Sequence, residues 1–308
     1  MEIALQFVLL ALGFVMLGKG ADWFVEGAAG IAMRFGIPQL VIGLTIVAMG
    51  TSAPEAAVSI AAAVKGNADI TIGNIVGSNI LNILVILGLA ASIVPIAVAR
   101  STVRIEIPFM IGVTALLFYQ GSDSSISLAD GGVLMVAFAA YMMYLYTMAM
   151  KSNVDSDLEE PGLPLGRCLL GAVGGLALII AGSNVTVGAA TSIATYAGLS
   201  ERFIGLTIVA LGTSLPELFT SVAAARRGNA DIAIGNIVGS NIFNILFVVG
   251  LSSLIIDIPF ASAFNFDTYV ALGAAVLLWL CVLRTQRLQR WAGALMLMCY
   301  AAYLGYIL

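Results

Sequence analysis

Residues 42–89 read IGLTIVAMGTSAPEAAVSIAAAVKGNADITIGNIVGSNILNILVILGL, and residues 204–251 read IGLTIVALGTSLPELFTSVAAARRGNADIAIGNIVGSNIFNILFVVGL. The offset is a constant 162, and 35 of the 48 positions are identical. Any fold for this chain must use the same unit twice. More weakly, the same offset relates Gly20 to Gly182 and Gly36 to Gly198. The repeated unit is apolar almost throughout, as is the rest of the chain. Of 308 residues, 61% are hydrophobic and only 10% are charged. A soluble domain of this length needs far more polar surface, so the chain is read as an all-α polytopic membrane protein.

A span needs about 20 apolar residues. Ten fit, near 3–27, 38–64, 69–95, 105–120, 130–150, 165–198, 202–225, 230–255, 267–283 and 288–308. The first and sixth are long enough to tilt strongly. The N-terminal stretch has no basic n-region or small-residue cleavage pattern and is read as the first span. Basic residues then set the orientation. Lys19, Arg34, Arg100, Arg104, Lys151, Arg167, Arg226, Arg227, Arg284, Arg287 and Arg290 fall on one side, and Lys65 and Arg202 on the other, 11 against 2. The richer side is cytoplasmic, so both termini face outward.

Five spans per unit is an odd number, so the second copy enters the membrane from the opposite face. The predicted division is a first five-helix repeat over 1–150, a cytoplasmic linker over 151–164 and a second repeat over 165–308. The most similar segments are 37–90 and 201–252. The linker's acidic run (Asp155, Asp157, Glu159, Glu160) reads as solvated chain. Inverted repeats are common in secondary transporters, whose sites lie near the midplane on interrupted helices at matching positions of the two halves.

Two interruptions match that description, GTSAPE at 50–55 and GTSLPE at 212–217. Proline lacks an N–H and clashes with the preceding turn, so carbonyls around Ala48 to Thr51 are expected to lose intrahelical partners. Thr51 and Ser52 add hydroxyls and Glu55 a carboxylate. The second copy offers Ala210, Thr213, Ser214 and Glu217. A charge at the bilayer centre costs about 2.5–3.5 kcal/mol on insertion scales, so two at symmetric positions point to a ligand. GNIVGSNILN (73–82) and GNIVGSNIFN (235–244) follow. Ser78, Asn82, Ser240 and Asn244 are read as site residues, and Asn74, Asn79, Asn236 and Asn241 as interhelical hydrogen-bonding residues. Every candidate ligand atom is oxygen, which suits Na+ and Ca2+ and not zinc or copper. The chain has no histidine, and Cys168, Cys281 and Cys299 stand at no metal-ligand spacing. No nucleophile–base pair is evident, so an enzyme is not expected.

The paired GTS-x-PE and GN-x-x-GSN-x-x-N segments resemble the alpha repeats of the cation/calcium exchanger superfamily, in its prokaryotic sodium/calcium exchanger branch. The resemblance implies a ten-helix fold of two inverted five-helix repeats, N-out and C-out, in the prokaryotic plasma or inner membrane. It implies antiport of Na+ against Ca2+ by alternating access, in the direction of Ca2+ efflux, with the first and sixth spans sliding across the other eight. Glu55 and Glu217 would hold Ca2+ with the carbonyls of Thr51 and Thr213. One Na+ group would be Ala48, Thr51, Ser52, Ser78 and Glu217, and the other Ala210, Thr213, Ser214, Ser240 and Glu55. Asn82 and Asn244 would complete a central cluster. The potassium-dependent branch has aspartate where this chain has Asn244, which argues against potassium dependence. No cofactor, protein partner or nucleic acid is implied; the ions and the bilayer are the partners. Proton-coupled Ca2+ exchange through the same glutamates is the alternative. A passive channel is disfavoured, because channels place their carboxylate rings around symmetric oligomers.

Overall fold

A computed structural model describes residues 2–152, 163–198 and 210–307. The acidic run, Arg202 and the first part of the seventh predicted span lie outside the described residues. The described chain is helical: α1 (Glu2–Arg34), α2 (Gln39–Thr51), α3 (Ala53–Val64), α4 (Ile70–Ile93), α5 (Thr102–Asp123), α6 (Leu128–Ser152), α7 (Leu165–Tyr196), α8 (Ala210–Thr213), α9 (Leu215–Arg226), α10 (Ala230–Ile255), α11 (Ala263–Leu283) and α12 (Arg290–Ile307). By length and composition, seven of the described helices can cross a membrane, or eight if α2 and α3 count as one bent span. The protein is thus a polytopic membrane protein, and large apolar side chains on α1, α6 and α7 face outward as lipid contact requires.

Several predicted boundaries move. The first span runs on to Arg34, where Gly36 at φ 62° ends it in the left-handed region that glycine tolerates. Lys19, counted with the loop that follows, lies inside α1. The fourth span starts at Thr102 and the ninth at Ala263, because polar residues near each start are accommodated within the helix.

The two longest helices, α1 with 33 residues and α7 with 32, are each about 50 Å long at 1.5 Å per residue. They pack against each other through glycines seven apart, Gly13, Gly20 and Gly27 on α1 and Gly175 and Gly182 on α7. A Cβ at Gly27 would lie 2.4 Å from the Ala172 nitrogen, and one at Gly175 would lie 2.5 Å from the Phe24 nitrogen. Only hydrogen allows the backbones so close, which is how helices associate where lipid is as apolar as leucine. The pair also touches both interruptions. Leu176 and Phe24 pack on Gly50, while Ser183 donates to the Gly212 carbonyl at 2.7 Å.

Two short antiparallel ribbons stitch the halves together. Ile96–Ala97 (β1) pairs with Arg287–Leu288 (β4), and Ser125–Ile126 (β2) with Ile258–Pro259 (β3). Shifting the first ribbon by 162 generates the second, register included. Each ribbon satisfies the backbone of one loop from each half. One contact breaks this symmetry. Arg227 pairs with Asp22 and Glu26 of α1, each at 3.2 Å. Its counterpart Lys65 corresponds to positions where α7 has Asn184 and Gly188, which carry no charge.

Gly27→Leu should separate α1 from α7, overpacking of this kind costing about 1–3 kcal/mol or more. Gly18→Ala, which meets nothing within 4 Å, is the control. Fluorescence-detected size exclusion with a melting series should show a lower midpoint or a lost monodisperse peak for the first variant and no change for the second.

Candidate cation-binding site

The interruption in the first half falls at Ser52, whose φ of −81° and ψ of 5° leave the helical region. Ser214 does the same in the second half, at −89° and 3°. α2 and α3 meet there at an angle of 51°. Pro54 and Pro216 sit in the first turn of α3 and α9, where a missing N–H costs nothing. The expected loss of a partner at Ala48 is not seen. Its carbonyl accepts from the Ser52 N–H at 3.0 Å. The break comes later because Pro54, four residues after Gly50, has no N–H to offer the Gly50 carbonyl, which accepts a backbone N–H of the cap in its place.

Each break puts a glutamate into the first turn of the following helix, where a negative charge is favoured by the exposed N–H groups. Glu55 and Glu217 are both 1% exposed. Their hydrogen bonds cross between halves. Ser52 donates to Glu217 Oε1 at 2.8 Å, and Ser214 lies 3.4 Å from Glu55 Oε1. Thr213 also faces Glu55, and Thr51 faces Glu217. The two carboxylates are close enough to repel each other. Their second oxygens, Glu55 Oε2 and Glu217 Oε2, are buried without a hydrogen-bond partner, as are Asn82 Oδ1 and Asn244 Oδ1. Four unpartnered oxygens at symmetric positions are acceptors of the kind suited to a hard cation.

The asparagines build the scaffold. Asn79 and Asn241 each donate to the other's backbone carbonyl at 3.2 Å. Asn82 donates to Asn241 Oδ1 at 2.9 Å and Asn244 to Asn79 Oδ1 at 3.1 Å. These four bonds use one N–H of each amide and leave the Asn82 and Asn244 oxygens without a partner. Asn74 donates to Ser59 at 2.9 Å and to the Glu55 carbonyl at 3.2 Å. Asn236 repeats this with Ser221 at 2.9 Å and the Glu217 carbonyl at 3.5 Å, and accepts from Thr51 at 3.0 Å. So α4 ties down α3, and α10 ties down α9.

Of the expected site residues, Thr51, Ser52, Glu55, Ser214, Glu217, Asn82 and Asn244 converge here. Thr213 and Ala210 lie on α8 beside them; the Ala210 side chain lies outside the described residues. Ser78 and Ser240 are buried. Ser240 lies 3.3 Å from the Ala48 carbonyl, and α4, which carries Ser78, packs against α8. Sequence reasoning passed over Ser59 and Ser221, which anchor Asn74 and Asn236; their recurrence at the offset of 162 was the available signal. It also passed over the π-helical turns Asn82–Leu87 and Asn244–Val249, which widen the helix at the cluster.

This architecture, two matching halves each offering a broken helix and a buried carboxylate to one shared centre, is that of a secondary transporter. The family profile described as sodium/calcium exchanger protein matches residues 5–147 and 168–308. CaxA of Alkalimonas amylolytica, whose name marks it as a candidate antiporter, is 41% identical over 314 residues and covers 98% of both chains. The sodium/calcium exchanger MaX1 of Methanosarcina acetivorans is 33% identical over 345 residues, again covering 98% of each. A solved structure of the sodium-calcium exchanger NCX_Mj, soaked with zero Na+ and Ca2+, superimposes with a TM-score of 0.87 at 33% identity, covering 99% of this chain and 100% of that one. The chain belongs to the sodium/calcium exchanger family. Its relatives and its fold are those of membrane antiporters, not enzymes.

Asn241→Ala removes the bonds to Asn79 and Asn82 together, and Asn79→Ala removes the symmetric set. Each should cost about 1–3 kcal/mol, since buried partners are left unsatisfied. Thermal melting should give similar drops for the two singles and a double variant well short of their sum.

Proposed function

We propose that this protein exchanges Na+ for Ca2+ by alternating access, in the direction of Ca2+ efflux, across a prokaryotic plasma membrane. The observation that carries the proposal is the set of four buried, unpartnered oxygens on Glu55, Glu217, Asn82 and Asn244. Two carboxylates supply a charge of −2, which one Ca2+ or about two Na+ would neutralise. Ca2+ would be held by Glu55 and Glu217 with Thr51 and Thr213. Na+ would bind in two flanking groups that share those carboxylates. One is Ala48, Thr51, Ser52, Ser78 and Glu217; the other is Ala210, Thr213, Ser214, Ser240 and Glu55. Because the carboxylates are common to both kinds of site, one ion type must leave before the other binds. Two uncompensated charges are costly to carry through a low-dielectric barrier, so the protein cycles only when loaded.

The chain would form ten spans, with α8–α9 and α12 joining the eight above, in two inverted repeats over 1–150 and 165–308, with both termini outside. The linker over 151–164 would then be cytoplasmic. Three contacts support this reading. Each ribbon joins loops that the charge alternation assigns to one face: residues 96 and 287 inside, 125 and 258 outside. Arg227, assigned inside, pairs with the inner end of α1. Access would alternate as the α1–α7 pair, which touches both interruptions, slides across the other helices.

The test is 45Ca2+ uptake into proteoliposomes loaded with Na+, against K+ loading and an imposed pH gradient. Uptake is expected only with internal Na+. Uptake driven by the pH gradient alone would make the coupling ion a proton and remove the Na+ groups from this account. Glu55→Gln and Glu217→Gln should each abolish uptake in a folded protein. Ser52→Ala and Ser214→Ala should each raise the Na+ concentration for half-maximal exchange by about 5–30-fold, the loss of one hydrogen-bonding oxygen at about 1–2 kcal/mol.

A further inference from the structure

A second group of buried oxygens lies on α5, outside the central cluster. Thr102–Glu106 forms a π-helical turn, pinned by Trp279, which donates to the Val103 carbonyl at 2.8 Å. Glu106 is fully buried. Its Oε1 accepts from the Tyr144 hydroxyl, while Oε2 has no partner. Thr102 stands one helical turn before Glu106 and interacts with its carboxylate, and Tyr141, whose ring stacks on those of Phe109 and Tyr144, interacts with it electrostatically; both hydroxyl oxygens are buried without a hydrogen-bond partner. Among the described residues the only ion pairs are those of Arg227, so no described Lys or Arg pairs with Glu106. The duplication does not account for the group either. At the offset of 162, Glu106 becomes Thr268, whose hydroxyl bonds the Phe264 carbonyl at 2.8 Å inside an ordinary α-helix. Both the carboxylate and the π-helical turn belong to the first half alone.

We propose that Glu106, Thr102 and Tyr141 bind a hard monovalent cation, Na+, at a second site separate from the central one. An ionisable group sealed inside a membrane protein needs a counter-charge or a proton. A protonated Glu106 would have an O–H to give to Thr102 or Tyr141, whereas three oxygens left without hydrogen bonds around one carboxylate fit a cation accepting from all three. One negative charge balances one Na+. Ca2+ takes six to eight oxygens and commonly more than one carboxylate, which this group does not offer. Tyr144 holds the carboxylate's orientation through Oε1, leaving Oε2 for the ion. Asp231, the other acidic group that interacts electrostatically with Glu106, is half-buried at the start of α10 and adds negative potential.

The experiment measures the rise in melting temperature on adding NaCl, against choline chloride at equal ionic strength, in protein whose central carboxylates are removed. Glu55→Gln/Glu217→Gln should keep a saturable Na+-specific rise, and adding Glu106→Gln should abolish it. Thr102→Val and Tyr141→Phe in the same background should raise the half-saturating Na+ concentration by about 3–10-fold, and they keep the test open if the triple variant does not fold. No Na+-specific rise in the double variant, or the same rise with and without Glu106, would overturn the proposal and make Glu106 a buried neutral acid. The central-site reading is judged separately, by whether the double variant still exchanges Ca2+.

Discussion

Two carboxylates inside a membrane protein must be solvated by something other than water, and here each is solvated by the opposite half of the chain. Ser52 donates to Glu217, and Ser214 reaches toward Glu55. Neither half can therefore house its own glutamate in isolation. The halves must meet at their broken helices, and much of the remaining structure holds that meeting in register. The paired Asn79–Asn241 bonds clamp α4 to α10, Asn74 and Asn236 fasten α3 and α9 to them, and the ribbons align the loops at both faces. The same arrangement leaves four oxygens unbonded at the centre. In hydrocarbon such groups are tolerated only where they line a site.

The symmetry has limits, and they fall in places that matter. Arg227 ties the end of α9 to α1, and the equivalent Lys65 makes no ion pair among the described residues. Glu106 has no acidic counterpart, and Gly27 corresponds to Ala189. Under the proposed alternating access, such departures would make the two directions of opening unequal in energy. Partly exposed ion pairs are worth about 0.2–1 kcal/mol each, so the Arg227 contacts bias the balance by a modest factor and do not lock it.

Much of the site was readable before the fold. Recurrence at a fixed offset marked Thr51, Ser52, Glu55, Ser78 and Asn82 with their partners, since membrane energetics make a buried glutamate beside a proline hard to explain as packing. An inverted pairing of the repeats was the expectation from an odd number of spans per repeat. Periodicity could not show that Ser240 of the second half approaches the Ala48 carbonyl of the first, because that depends on how the two halves pack. Nor could it show that Ala48 keeps its backbone partner, or that the helices widen into π-helical turns at Asn82 and Asn244. These are adjustments of a few tenths of an ångström to a few ångströms, made by side chains from distant segments. Glu106 went unremarked because it stands alone in the sequence, and only burial among Thr102, Tyr141 and Tyr144 distinguishes it.

By itself the sequence determined that the protein is embedded in a membrane, that it is built from a duplicated helical unit, and which polar residues recur at its interruptions. Hydropathy and duplication are properties of the chain in order, so no contact is needed to read them. Tertiary structure alone decided which oxygens are left without a partner, which half supplies each carboxylate's hydrogen bond, and where α1 and α7 lie across the breaks. Those outcomes depend on residues about 160 positions apart arriving within 2.8 to 3.4 Å of one another. Order along the chain does not encode that meeting; packing does.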